Sequence, residues 1–174
     1  WNEEILIRTW GRPHDVYTQP RDFEILDAKG ERMILVTSIW IILDAGEGKF
    51  QPLAPFEDKL FEWDSAVMTE RAPKVRMMPF EKEKAHFSQV LFSDLDRNHH
   101  VNNTKYLQWL FDSPAFSNRK VTDLQTVSVN FIAQARLGET YALQTIEMPS
   151  HDLISTVFTQ DGTHEYCRIQ TQWH

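Results

Sequence analysis

The 174-residue sequence contains one cysteine, Cys167, and its longest uninterrupted apolar stretch lies around Ile39–Leu43. A single cysteine excludes a disulfide framework and any zinc site built from several thiolates, and it is typical of a reducing compartment. The apolar stretch falls far short of the ~18 residues needed to cross a bilayer. Basic residues are also few. The 18 Lys and Arg against 25 Asp and Glu give a net charge of −7, which argues against a protein that coats nucleic acid or an anionic membrane.

The beginning of the chain lacks the charged and apolar regions of a signal peptide, and Trp1-Asn-Glu-Glu opens in a strand-like pattern. We therefore expect a cytoplasmic protein whose sequence is given as a fragment or without its first residues. The length fits one ordinary domain or two small halves that share a sheet.

The first segment of the sequence predicts three strands. Residues 3–9 and 21–26 alternate between apolar and polar side chains, and residues 32–44 form a long β-branched run. Asp27-Ala-Lys-Gly30 supplies turn chemistry, so the last two runs predict a hairpin. The run 32–44 is apolar on both of its faces, which predicts a central strand covered on both sides.

The rest of the chain divides into a proline-punctuated stretch and a regular segment. Prolines over residues 45–82 block a long helix or central strand, so we expect a linker with one short helix near residues 57–62. From about residue 84 the pattern predicts a strand, a helix capped by Asn102 or Asn103, and a four-strand meander whose last turn is Asp161-Gly162. These elements predict an α+β fold, an antiparallel sheet with one helix laid across it. The first segment resembles the end of a second such unit.

Common catalytic and metal motifs are missing from the sequence. No GxSxG elbow, phosphate-binding Walker A loop or HExxH helix occurs, and Gly46-Glu-Gly48 lacks the third glycine of a dinucleotide loop. Residues from Asp94 begin like a calcium loop, but His99 stands where that loop needs glycine and Lys105 where it needs glutamate. Adjacent His99 and His100 lack a third ligand at helical spacing. The sequence predicts neither a metal nor a cofactor.

One polar run directly precedes the predicted helix. Asp94, Asp96, Asn98 and His100 occupy every second position, so in an extended segment their side chains share one face. Unpaired N–H groups at a helix N-terminus favour developing negative charge. This arrangement suits acyl transfer or hydrolysis. Asp and Asn are also ordinary turn and capping residues, so a plain capping loop remains an alternative at this point.

The polar run and the helix after it resemble a signature of acyl-ACP thioesterases, Asp-x-Asn-x-His-x-Asn-Asn-x-x-Tyr-x-x-Trp, in the sequence SDLDRNHHVNNTKYLQWLFD. Three earlier pieces resemble the N-terminal half of that family: RTW at 8–10, RDFEILD at 21–27 and the 37–44 run. The resemblance implies a tandem hotdog fold, in which each half is an antiparallel sheet wrapped on a long helix. It implies a partial N-terminal half (residues 1–56, first strand and helix missing), a linker (57–83) and a C-terminal half carrying the catalytic motif (84–174).

The resemblance implies Asp96, Asn98 and His100 as active-site residues. Plant members carry a Glu-Cys pair at the positions of Gln134 and Ala135, so a cysteine mechanism is excluded here. Asp96 would attack the thioester or activate water, and both routes stay open. His100 would orient groups or exchange protons, Asn98 and Gln134 would position groups or water, and backbone N–H groups of residues 101–103 are candidate oxyanion donors. We expect Asp94 to be structural and Cys167 to be a small buried thiol.

The implied reaction is hydrolysis of fatty acyl-ACP to free fatty acid, which ends fatty-acid synthesis. Alternatives are a hotdog acyl-CoA thioesterase or hydratase, or a non-catalytic acyl-binding protein, which the loss of the acid at Gln134 favours. The expected partner is acyl carrier protein, with no nucleic acid or membrane, and the chain is a candidate homodimer. Trp40 and Ile42 are candidates to line an acyl channel. An acidic carrier needs a local basic patch, for which the candidates are Lys74, Arg76, Arg119, Lys120 and Arg136.

Overall fold

The computed structural model describes residues 2–44, 46, 48–68 and 72–174. The chain divides into two compact units, Trp1–Pro73 (unit 1) and Lys74–His174 (unit 2). The boundary falls inside the predicted linker.

Unit 1 is a four-stranded antiparallel sheet in the order β1-β2-β3-β4. Its strands are β1 (Leu6–Gly11), β2 (Thr18–Leu26), β3 (Arg32–Leu43) and β4 (Phe50–Gln51), followed by a 3-10 helix, Ala54–Lys59. The hairpin between β2 and β3 is confirmed: Gly30 donates to the Asp27 carbonyl at 3.0 Å and has a φ of 84°, which glycine adopts without strain. The described part of unit 1 contains no α-helix.

The strand β3 lies between β2 and β4 in the sheet, but the expectation that it is covered on both faces is wrong. It pairs with β2 along its length, but with β4 only at Ile42 and Leu43. Ile34 is 53% exposed and Trp40 55%. A strand face is buried only where another element packs on it, and the described residues of unit 1 supply no α-helix for that purpose.

The opposite face of β2 is covered by residues 61–68, the crossing segment of unit 1. Trp10 donates its indole N–H to the Ser65 carbonyl at 2.7 Å, and Val67 donates its main-chain N–H to Oδ2 of the buried Asp22 at 3.0 Å. The Trp10 and Trp63 rings lie 5.4 Å apart. A buried carboxylate therefore holds the main chain of this segment on the sheet.

Unit 2 is a five-stranded antiparallel sheet in the order β5-β7-β8-β9-β6, with one α-helix. Its elements are β5 (Ala85–Gln89), α1 (Asn103–Phe111), β6 (Leu124–Phe131), β7 (Thr140–Glu147), β8 (Leu153–Thr159) and β9 (Glu165–Trp173). Short 3-10 turns lie at Lys82–Lys84, Phe92–Asp94, Pro114–Phe116 and Val121–Asp123. No helix among the described residues has the length and apolarity needed to span a bilayer.

The four-strand meander is wrong in one respect. Strands β7, β8 and β9 form a meander, but β6 pairs with β9 and not with β7. The pairing is long-range, because residues 132–139 carry the chain from β6 past β9 and β8 before β7 begins. Local periodicity predicts strands but does not specify such neighbours.

The core of unit 2 lies between α1 and one face of the sheet. Tyr106 and Leu110, one helical turn apart, are buried against β8 and β9 residues such as Val157 and Ile169. The ring of Trp109 stacks on Tyr141 with centroids 4.1 Å apart. This packing fixes the position of the helix, and with it the polar run at the helix N-terminus.

The other face of this sheet is covered by Val75–Glu81, the crossing segment of unit 2. Main-chain N–H groups of Val75 and Glu81 donate to the side-chain oxygens of Asn130 and Gln144, each at 2.6 Å. Gln144 also donates to the Pro79 carbonyl at 2.9 Å. Both units thus use polar side chains of the sheet to hold a crossing main chain.

Candidate active site

The polar run is a compact loop, and the expectation of an extended segment with four side chains on one face is wrong. Asp94 ends a 3-10 turn. Asp96 then donates its N–H to the His100 carbonyl at 2.8 Å, next to an antiparallel bridge between Leu95 and Val101. His99 at the tip has a φ of 62°, in the left-handed region. The chain doubles back because Asp and Asn side chains compete for main-chain N–H groups.

Asp94 has the structural role that the sequence predicted. It is buried, and its Oδ2 accepts the Leu91 N–H at 2.9 Å. Its Oδ1 lies 3.7 Å from Nζ of Lys105 on α1, and its carbonyl accepts the Asn102 N–H at 2.9 Å. Asp94 therefore ties the start of the loop to the start of the helix.

Asp96 and His100 face each other across the narrow loop. Leu95 and Val101, joined by a single isolated bridge, pack against the core, and the next residues into the loop, Asp96 and His100, are both half-buried. Oδ1 of Asp96 accepts the N–H groups of Asn98 at 2.8 Å and His100 at 3.2 Å. Oδ2 accepts no hydrogen bond from the described residues. One carboxylate oxygen thus holds the loop in its bent form.

The helix N-terminus is capped as predicted, but it offers fewer anion donors than expected. Asn102 accepts the Thr104 N–H at 3.0 Å. The Val101 N–H donates to the Ala135 carbonyl at 3.1 Å and the Asn102 N–H to the Asp94 carbonyl. The expectation of oxyanion donors is therefore wrong for Val101 and Asn102. Asn103, at the first helical position, is the remaining candidate.

Gln134 lies in the segment that follows β6, and its side chain is exposed. The neighbouring Ala135 is fully buried. Because its carbonyl accepts the Val101 N–H, the main chain beside Gln134 contacts the main chain beside His100. The structure therefore brings the two predicted site segments together through their backbones, with Asn98 exposed at the tip of the loop.

Tyr106 is a residue whose polar role sequence reasoning missed. It fits the apolar stripe of α1 and is buried, but its hydroxyl oxygen accepts the Ala135 N–H at 3.1 Å. Burial raises the pKa of Tyr106, so the hydroxyl stays protonated at neutral pH. A tyrosine within a buried helical stripe was the available signal, since a buried tyrosine hydroxyl usually has a partner.

Cys167 is unsuited to catalysis, as expected. It lies in β9 with no exposed surface, and burial raises the pKa of its thiol to about 12. Thiolate is the nucleophilic form, so this group is inert near neutral pH. Among the described residues, no group of three or more His, Cys, Asp or Glu side chains is arranged to hold a metal ion.

Unit 1 contains an apolar cleft of about 430 Å³. Trp40 and Ile42, the predicted channel residues, line it with Phe23, Leu53 and Leu60. Small-molecule sites are usually apolar clefts of this size range.

A family model for the acyl-ACP thioesterase C-terminal domain matches residues 64–174. The chain belongs to this family. It is 23% identical over 186 residues to the chloroplastic acyl-[acyl-carrier-protein] hydrolase FATB1 of Cuphea viscosissima, covering 99% of this chain. It is 22% identical over 191 residues to the chloroplastic oleoyl-acyl carrier protein thioesterase 2 of Arabidopsis thaliana, covering all of this chain. The chain spans 44% and 51% of the lengths of these two relatives.

Solved structures of acyl-ACP thioesterases confirm the fold. The Bacteroides thetaiotaomicron enzyme aligns with a TM-score of 0.81 at 16% identity, covering 99% of this chain and 69% of that one. The 12:0-ACP thioesterase of Umbellularia californica aligns with a TM-score of 0.79 at 17% identity, covering 100% and 69%. The predicted α+β hotdog fold with antiparallel sheets is therefore correct, although α1 is only nine residues long.

Proposed function

We propose that this chain is the part of an acyl-ACP thioesterase that hydrolyses the thioester of fatty acyl-ACP and releases free fatty acid. The observation that carries the proposal is the loop in which Asp96 and His100 face each other at the start of α1. Family membership and the match of Asp96, Asn98 and His100 to the signature support it.

The geometry of Asp96 fits either of two routes. Two N–H groups hold Oδ1, so Oδ2 attacks the thioester carbonyl or removes a proton from water that does so. In the first route the carrier leaves as a thiolate and water cleaves the acyl anhydride, which restores the carboxylate. In the second, water adds directly and the carrier again leaves as a thiolate. His100 supplies the proton that makes the leaving group a thiol, and it regains one from the attacking water, directly in the first route and by way of Asp96 in the second.

The amide side chains complete the proposed site. Asn98 and Gln134 are both exposed, and each side chain has one carbonyl oxygen and two N–H donors. We assign them to hold the attacking water or the thioester oxygen, because neither acts as an acid or base. Trp40 and Ile42 stay candidates to contact acyl methylenes, because they line the unit 1 cleft and each buried methylene contributes about 0.8 kcal/mol.

Carrier binding and location remain predictions. Lys74, Arg76, Lys120 and Arg136 are exposed, as an acidic carrier requires. Arg119 is more restrained, since it pairs with Glu147 at 3.1 Å and lies 5.2 Å over the Trp173 ring. A cytoplasmic location and a homodimer are kept as expectations, and the two plant relatives named above are chloroplastic.

A second candidate function is a non-catalytic acyl-binding protein. The observation that favours it is Gln134, an amide at the position where the plant signature has an acid. An amide cannot exchange protons as a carboxylate does. Thiol release by the wild-type chain from acyl-ACP and acyl-CoA, measured in parallel, separates the candidates. Release from acyl-ACP alone supports our proposal, comparable release from acyl-CoA favours a CoA enzyme, and none from either favours binding.

A matched pair of variants tests the role of Asp96. Oδ1 of Asp27, in the β2–β3 hairpin, accepts N–H groups two and four residues ahead at 2.9 and 2.8 Å, the same pattern as Asp96. Asparagine keeps the accepting oxygen in both loops. We expect Asp96→Asn to slow thiol release by about 10²–10⁴-fold and Asp27→Asn to leave the rate unchanged, with similar melting temperatures. Equal effects would reduce Asp96 to a loop-forming residue.

A further inference from the structure

The peptide groups on either side of Ala135 are held from two directions. The Ala135 N–H donates to the Tyr106 hydroxyl oxygen at 3.1 Å, and its carbonyl accepts the Val101 N–H at 3.1 Å. The first contact comes from the middle of α1, and the second from the end of the loop that carries Asp96 and His100. Ala135 is therefore clamped between the helix and the site loop.

This clamp is shielded from water. Ala135 has no exposed surface and Tyr106 is buried. Water cannot replace a lost hydrogen bond there, so the geometry depends on the hydroxyl itself. The ring of Tyr106 is fixed in turn, with its centroid 5.2 Å from that of Trp109 and 6.1 Å from that of Phe131 at the end of β6.

The segment that carries Gln134 is fixed on both sides of that residue. Before it, the N–H groups of Ile132 and Ala133 donate to the Tyr166 carbonyl at 2.9 and 3.1 Å. After it, the Gly138 N–H donates to the Val90 carbonyl at 3.1 Å. Gln134 is thus an exposed side chain on an anchored stretch of main chain, which limits the positions that its amide reaches.

We propose that Tyr106 is a positioning residue, whose hydroxyl holds the Ala135 peptide and thereby places Gln134 relative to Asp96 and His100. The inference rests on the proposed hydrolysis, because a placed amide matters only where there is a reaction to serve. Tyr106 does not touch the substrate in this proposal and acts through the main chain alone. Displacement of a group by about 1 Å costs on the order of 10²-fold in rate.

The test removes the hydroxyl and keeps the ring. We expect Tyr106→Phe to lower kcat for acyl-ACP by about 10–100-fold with KM within about twofold. The matched control is Tyr141→Phe. Tyr141 is another buried tyrosine of unit 2, but its hydroxyl lies beside Ser88 on β5 and not beside the Gln134 segment. We expect the control to retain kcat although it loses similar stability.

A double-mutant cycle separates positioning from general destabilisation. If Tyr106 acts through Gln134, Tyr106→Phe and Gln134→Ala together slow the reaction little more than the slower of the two alone. Multiplied effects, a wild-type rate in Gln134→Ala, or equal losses in Tyr106→Phe and Tyr141→Phe would each overturn the proposal.

Amide hydrogen exchange supplies a readout that is independent of activity. We expect exchange at the Ala135 N–H to accelerate in Tyr106→Phe and to stay slow in Tyr141→Phe. Unchanged exchange in Tyr106→Phe would overturn the clamp. Absence of thiol release by the wild-type chain would instead refute the proposed function. The exchange data would still decide whether Tyr106 holds the Ala135 peptide.

Discussion

The two sheets of this protein are built from similar strands but differ in what covers them. In unit 2, α1 packs on one face and the crossing segment Val75–Glu81 covers the other. In unit 1, residues 61–68 cover one face of β2, while β3 leaves Ile34 and Trp40 more than half exposed. An apolar strand pattern therefore predicts that another element should pack on that strand face. The pattern by itself does not identify the element.

The comparison also separates two uses of one local motif. Asp27 and Asp96 close their loops with the same pair of hydrogen bonds. Asp27 joins two strands of unit 1, whereas Asp96 precedes a helix that a core holds in place. In our proposal the catalytic role of Asp96 thus depends on the position of its loop at the start of α1, and not on the backbone geometry that both loops share.

Truncation of apolar side chains in the two units is expected to give the largest effect, and it tests whether the two sheets differ in burial. Leu110 on α1 has no exposed surface, so we expect Leu110→Ala to lower the free energy of unfolding by about 2–5 kcal/mol. Ile34→Ala on β3 should cost less than about 1 kcal/mol. Urea denaturation followed by circular dichroism measures both. An equal loss would show that β3 is covered in solution.

The polar contacts beneath the crossing segment of unit 2 are expected to have the next largest effect. Gln144→Leu removes both side-chain contacts with Pro79 and Glu81 in a buried position, and we expect a loss of about 2 kcal/mol. Gln172→Leu, at an exposed position on β9, is the control and should stay near wild type. Faster exchange at the Glu81 amide in the first variant alone would place the loss at this contact. Similar exchange in both would contradict it.

A smaller, pH-dependent effect is expected in unit 1. A hydrogen bond from His14 lowers the pKa of Glu62, and the same contact raises the pKa of His14 above 6.5. His14 therefore stabilises the fold below pH 6.5 and loses this contribution as pH rises through its raised pKa. Glu62 contributes above pH 4.5 and loses its share as pH falls. The pair is strongest between these values.

An NMR titration of the His14 ring checks this expectation. Glu62→Gln should return the pKa of His14 toward 6.5. A His14 pKa that is the same in Glu62→Gln and wild type would show that the pair does not form in solution.

The least effect is expected at Cys167. Its burial and its thiol pKa of about 12 predict that a thiol reagent at pH 8 leaves the folded protein unlabelled, and that Cys167→Ala retains the wild-type rate of the proposed thioester hydrolysis. Denatured protein, which should label fully, serves as the control. Rapid labelling of folded protein would show that the core of unit 2 opens to solvent frequently enough to expose Cys167. Lost activity at unchanged stability would refute the carboxylate mechanism.

The sequence predicts local structure correctly where residues close together in the chain determine it. The turn at Asp27–Gly30, the cap at Asn102 and the strands of unit 2 depend on residues a few positions apart. The pairing of β6 with β9 joins strands that are distant in the sequence, and the exposure of β3 reflects which described elements of unit 1 pack on it, so periodicity could not specify either.

The candidate site was predictable as a set of residues and not as a shape. The signature places Asp96, Asn98 and His100 in one loop, but it does not show that the Asp96 side chain bends that loop by binding two N–H groups. The contact of Ala135 with Tyr106 joins positions 29 residues apart and needed the fold to be seen.

The crossing segment of unit 2 has a practical consequence for anyone who wishes to prepare that unit separately. Secondary structure would suggest a first residue at Ala85, where β5 begins. Such a piece would remove the Val75 and Glu81 N–H groups that donate to Asn130 and Gln144, and would expose that face of the sheet to solvent. A recombinant version that starts at Lys74 would keep this outer layer.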